Sequence, residues 1–132
     1  MGSVPSGNSP LATYYNEARN YAKGRNHKID TITIHCYVGQ VTAKSGCDYF
    51  ASTDRTASSN YVVGHDGSIG LSVPENSRSY CTSNSANDDR AVTIEVASES
   101  SHPYAVTSKA YTALVNLVAD ICINCGRKCG SR

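Results

Sequence analysis

Ile29-Asp30-Thr31-Ile32-Thr33-Ile34-His35-Cys36 is rich in β-branched residues, alternates along its length and carries a histidine at its end. Such a run forms a strand. Ile32 and Ile34 then share one face, and Thr31, Thr33 and His35 the other. A strand end is rigid, so a side chain there can be aimed into a cleft. An α/β protein places a metal ligand or a catalytic base at such a point. The plainer alternative is a hydrogen-bonded histidine with no chemical task.

Ala91-Val92-Thr93-Ile94-Glu95-Val96-Ala97 reads as a second alternating strand, with Ile94 and Val96 on one face and Thr93 and Glu95 on the other. A carboxylate in a half-buried strand is costly unless it has a charged partner or a proton to trade. Arg78 and Arg90 are the candidate salt-bridge partners. If the two strands are neighbours, His35 and Glu95 face each other across a cleft. An imidazole ligand beside a carboxylate is the equipment of metal-assisted hydrolysis: the metal acidifies water and polarises a carbonyl, and the carboxylate moves the proton.

Composition narrows the classes. The 132 residues suffice for one domain with one modest core. A net charge of +1 gives no bulk attraction to nucleic acid. No segment approaches the roughly 18 apolar residues of a membrane span, so no membrane insertion is expected. Met1 to Pro10 has neither a basic region nor an apolar run and is not a secretory signal, so synthesis in the cytoplasm is expected. The six cysteines are then expected to be reduced. Cys122-Ile-Asn-Cys125 has no partner CxxC, and no structural zinc is expected there.

The rest of the chain fixes the expected order of elements. Residues 1–24 read as a flexible lead. Thr42 caps a short helix reaching Ser52. Tyr61-Val62-Val63 and Ser68 to Val73 flank Gly64-His65-Asp66-Gly67, whose Asp-Gly pair signals a hairpin. Arg78 to Thr82 reads as a short edge strand and Ser83 to Asp89 as a polar loop. Thr107 or Ser108 caps a helix to about Cys125, with Tyr111, Leu114, Val115, Val118 and a buried Cys122 as its apolar face. Gly126 should end it, leaving Cys125 and Cys129 exposed and 126–132 an unstructured tail. His65 and His102 are expected in exposed loops. The fold class is α/β: a mixed central sheet flanked by helices, with a cleft at one end of the strands.

Three blocks together carry a resemblance: Thr33-Ile34-His35-Cys36, then Ser59-Asn60-Tyr61-Val62-Val63 with Asp66-Gly67-Ser68-Ile69, then Val92-Thr93-Ile94-Glu95-Val96-Ala97. They resemble the type-2 N-acetylmuramoyl-L-alanine amidases, which share a fold with peptidoglycan recognition proteins. Within that group they are most similar to the amidases of clostridial phage and prophage endolysins. The likeness implies a zinc hydrolase that cuts the amide between N-acetylmuramic acid and L-alanine in bacterial peptidoglycan, acting on the wall after release from the cell. It makes His35 the first zinc ligand and Glu95 the general base. It also makes Arg78-Ser79-Tyr80-Cys81-Thr82-Ser83-Asn84 a groove segment, so that Asn60, Arg78, Thr82, Ser83 and Asn84 are expected to contact substrate.

Two departures matter. Ser59 and Asn60 stand where many members carry Tyr and His, leaving more of the work to Glu95. The family's other two zinc ligands lie downstream of the last helix and are absent from this chain. The expectation is therefore a partial domain over 25–125, truncated at its C-terminus. As it stands it would hydrolyse wall poorly, or act as a non-catalytic muropeptide-binding module or an inert remnant.

Overall fold

The alternation around His35 and Glu95 becomes two adjacent parallel strands. The computed structural model describes residues 2–128, with side chains through Asn124. In chain order the elements are β1 (Tyr14–Tyr15), β2 (Thr31–Cys36), α1 (Ala43–Ser52), β3 (Tyr61–Val63), β4 (Ile69–Leu71), α2 (Ser85–Arg90), β5 (Ala91–Val96) and α3 (Ser108–Lys128). The strands form one mixed sheet in the order β1-β4-β3-β5-β2. Only the β3–β4 hairpin is antiparallel. Its turn uses Gly67 at φ 83°, a conformation that suits glycine.

β5 is buried along its whole length because strands flank it on both sides and helices cover both faces. On one face Val92, Ile94 and Val96 join Tyr61, Val63 and Leu71 beneath Ala110, Ala113, Leu117 and Ile121 of α3. On the other, Val62 and Val73 pack with Cys47 and Phe50 of α1. Thr42 caps α1, its hydroxyl accepting from the Ser45 amide at 3.1 Å. α1 sits close on the sheet because Gly70 has no side chain: a Cβ there would lie 2.7 Å from Cys47 Sγ.

Several expectations change. Residues 2–24 are part of the fold rather than a lead. β1 pairs in parallel with β4, and the buried Ser9 donates its hydroxyl to Asp120 Oδ2 at 2.6 Å. The Tyr14 hydroxyl and Asn16 Nδ2 both donate to Asp48 of α1. A two-residue strand held by side-chain bonds shows no periodicity to read. Arg78 makes only an isolated bridge to Ala22 in place of an edge strand. The loop expected at 83–89 contains α2, started by Asn84, whose side chain accepts from the Asn87 amide at 3.2 Å.

The buried face of α3 is offset from the expected one. Ala110, Ala113, Leu117 and Ile121 are inside, while Tyr111, Val115 and Cys122 are exposed. Two alanines carry the contact, and a pattern weighted by large apolar residues passes over them. α3 also continues through Gly126, at a cost of about 1 kcal/mol for a helical glycine. The expected exposure of Cys125 and Cys129 lies outside the described side chains, as does the tail from 129.

Candidate active site

Strand register brings the two principal residues together. His35 on β2 is the direct partner of Glu95 on β5. Both side chains leave the sheet on the α1 side, and His35 Nδ1 lies 3.2 Å from Glu95 Oε1. The carboxylate side chain is 11% exposed and the imidazole 51%. An approaching molecule therefore meets the imidazole first and the carboxylate behind it. β2 is an edge strand; this leaves His35 open to solvent while β5 stays enclosed.

Neither arginine named as a structural partner for Glu95 serves it. Arg78 pairs with Asp89 at 3.5 Å and Arg90 with Asp30 at 2.5 Å. The carboxylate faces His35 and the Cys81 thiol, which donates to Oε2 at 3.9 Å. His35, Cys81 and Glu95 present ligand atoms that all lie within 4.8 Å of one another. Burial raises the affinity of Glu95 for a proton, and His35 beside it acts in the opposite sense. Burial also raises the Cys81 thiol, reinforced by the neighbouring charges of Glu95 and Asp88.

Cys81 is the residue that sequence reasoning missed. It is placed by α2, the element that was also missed. Asp88 is buried on α2, and its Oδ2 accepts from the amides of Cys81 at 3.2 Å and Thr82 at 3.3 Å. The Thr82 hydroxyl donates to Asp88 Oδ1 at 2.8 Å. The loop is thus clamped with Cys81 turned toward β5. The available signal was Asn84 three residues ahead of Asn87 and four ahead of Asp88, a helix start that could hold the preceding loop. The sequence offered His35 one companion, Glu95, and the fold adds the Cys81 thiol beside them.

The expected substrate contacts divide. Asn60 is fully buried and structural. Its Nδ2 donates to the carbonyls of Val73 at 3.0 Å, Pro74 at 3.2 Å and Ser77 at 3.3 Å, and its Oδ1 accepts from the Thr93 amide at 3.0 Å. It fixes β5 two residues before Glu95 and has no surface to offer a ligand. Thr82 is occupied by Asp88. Arg78, Ser83 and Asn84 do line an open cleft of about 670 Å³, together with Asn20, Tyr80 and Asp88. Arg78 lies over the Tyr80 ring at 5.1 Å.

The other histidines stay apart. His65 is half-buried in the hairpin turn rather than exposed, its carbonyl accepting from the Thr107 hydroxyl. His102 is exposed beside the cis His102–Pro103 bond. Among the described residues, no helix is long and apolar enough to cross a membrane.

Comparison with known proteins agrees with the fold. Among solved structures, AmpD superposes with a TM-score of 0.64 at 17% identity, covering 91% of this chain and 79% of that one. PlyL gives 0.61 at 14% identity, covering 82% of this chain and 65% of its own, so this chain spans less than two thirds of PlyL. Drosophila peptidoglycan recognition protein SA gives 0.58 at 17% identity, covering 87% and 67%. At these identities the likeness is one of fold. No curated protein matches the chain. Residues 25–128 match the family described as Amidase_2, N-acetylmuramoyl-L-alanine amidase, and take in His35, Cys81 and Glu95, so the chain belongs to that family.

Proposed function

We propose that this chain hydrolyses the amide joining N-acetylmuramic acid to the L-alanine of the stem peptide in bacterial peptidoglycan. The observation that carries this reading is the 3.2 Å pairing of His35 with the buried Glu95 inside the family match. The sequence likeness to clostridial phage endolysins directs the choice of cell wall.

An amide is a poor electrophile with a poor leaving group. Zinc, when bound, would polarise the scissile carbonyl and make the attacking water acidic. The residues present fit it, since imidazole, thiolate and carboxylate are all zinc donors. His35 would offer a ring nitrogen at the solvent-facing rim. Glu95, behind it, takes the proton from the attacking water and returns it to the departing alanine nitrogen. The cleft beside Arg78, Tyr80 and Asn84 would seat the glycan–peptide.

The test is incubation of the purified chain with zinc and clostridial cell walls, followed by assay of newly freed alanine amino groups. Release that a chelator stops and zinc restores is expected. Co-sedimentation with walls and no amine release would make the chain a muropeptide-binding module instead.

A further inference from the structure

We propose that Cys81 joins His35 and Glu95 in a divalent-metal site of imidazole, thiolate and carboxylate, selective for thiophilic ions of the zinc class. Nothing in the resemblance that singled out His35 assigns a ligand at Cys81. The inference deepens the amidase reading by naming a metal ligand, and it rests on three donors and the scaffold behind them.

Geometry comes first. A tetrahedral zinc with bonds of about 2.0–2.3 Å sets its N, O and S donors roughly 3.3–3.6 Å apart. Here imidazole nitrogen and carboxylate oxygen are 3.2 Å apart, and thiol sulfur and the other carboxylate oxygen are 3.9 Å apart. All three ligand atoms lie within 4.8 Å. Rotamer adjustments of under about 1 Å would bring them round one ion, which side chains make without moving the backbone.

Support behind the donors comes second. His35 and Glu95 hang from paired strands in fixed register. The Cys81 and Thr82 amides are held by the buried Asp88, and Ser79, two residues upstream, is tied to Thr93 at 2.6 Å. Each donor thus stands on a fixed element, the condition for a site that exists before the ion arrives.

Donor chemistry sets the ion. One thiolate and one imidazole favour zinc or cobalt over magnesium or calcium, which prefer all-oxygen shells. Three protein donors leave the fourth position of a tetrahedral ion open to water or a carbonyl.

The test uses cobalt as a spectroscopic probe in the full chain carrying Cys36→Ser, Cys122→Ser, Cys125→Ser and Cys129→Ser. One equivalent of cobalt should give a thiolate-to-metal charge-transfer band in the near ultraviolet, bleached by zinc and untouched by magnesium. Adding Cys81→Ser should abolish the band and weaken cobalt binding at least tenfold. His35→Ala should weaken binding while any residual complex keeps the band. In the unsubstituted chain, which needs no variant to fold, zinc should slow alkylation of Cys81 read by peptide mass, and magnesium should not. A band that survives Cys81→Ser, or no saturable cobalt binding, overturns the site. Cobalt binding of this kind in a chain that frees no alanine amine supports the site and counts against the amidase reading alone.

Discussion

His35 and Glu95 occupy one register position on adjacent parallel strands, with Nδ1 and Oε1 3.2 Å apart. The pairing is a consequence of topology. β2 precedes β5 by more than fifty residues, yet the crossover lays them side by side, and both residues follow the same alternation on their strands. Glu95→Gln keeps the shape and removes the proton acceptor. It should lower amide hydrolysis about a hundredfold or more, the usual scale for a general base, while the thermal melt stays cooperative. Turnover on muropeptide near that of the unsubstituted chain would make Glu95 structural.

Asn60 makes the opposite case. Its amide group reaches three carbonyls and the Thr93 backbone from a fully buried position. Asn60→Ala would remove all of these bonds from a site closed to water, although the Pro74 carbonyl keeps the Ser77 amide at 2.9 Å. A loss of about 2–4 kcal/mol in denaturant unfolding is expected, with KM for muropeptide unchanged in the folded fraction. A raised KM at unchanged stability would return Asn60 to the substrate groove.

Close approach of α1 to the sheet gives a third measurement. A Cβ at Gly70 would stand 2.7 Å from Cys47 Sγ and 3.4 Å from Ala43 Cβ. Both belong to buried residues, so neither can swing away. Gly70→Ala should destabilise by about 1–3 kcal/mol despite the general preference of strands for alanine over glycine. A shift of the unfolding midpoint to higher denaturant would show that α1 gives way easily.

The acid limb of stability should report the tie between β1 and α1. Asp48 accepts from the Tyr14 hydroxyl, from Lys44 Nζ at 2.9 Å and from Asn16 Nδ2 at 2.9 Å. These partners, the Tyr14 bond foremost, lower its carboxyl from 3.8 to about 2. A carboxyl depressed in the folded state stabilises above its unfolded value and loses that stabilisation as pH falls through the folded one. Asp48→Asn should therefore flatten the decline in melting temperature between about pH 4 and about pH 2, the window set by those two values. An unchanged acid limb would mean that the bonds persist on protonation or contribute nothing.

What the sequence made legible follows a physical rule. β2 and β5 are long enough to alternate, so their faces and the meeting of His35 with Glu95 could be read from residue type alone. Asp-Gly announced the β3–β4 turn through backbone chemistry. β1 and α2 were not legible because short elements have no period: β1 is tied by Tyr14 and Asn16 to Asp48, more than thirty residues on, and α2 by Asp88 to Cys81 and Thr82 in the loop just before it. Cys81 inherited that obscurity. A cysteine in a polar run looks like a substituted groove residue until the helix behind it is seen.

The offset face of α3 supplies the last prediction. Leu117 is fully buried over β3 and β5 with Ala110, Ala113 and Ile121, whereas Val115 is 49% exposed. Leu117→Ala removes a side chain from beneath a helix that cannot collapse onto the gap, since alanines already set the helix–sheet distance. A loss of about 2–5 kcal/mol is expected. Val115→Ala removes a side chain that solvent already reaches and should stay within about 0.5 kcal/mol. Reading periodicity from the large apolar residues gives the reverse ranking, because it sets Val115 on the inner face with Tyr111 and Cys122. Equilibrium unfolding of the two variants in parallel decides between the faces. A larger loss for Val115→Ala would mean that α3 is rotated by about 100° per residue of offset from the placement described here, with Tyr111 and Cys122 inside.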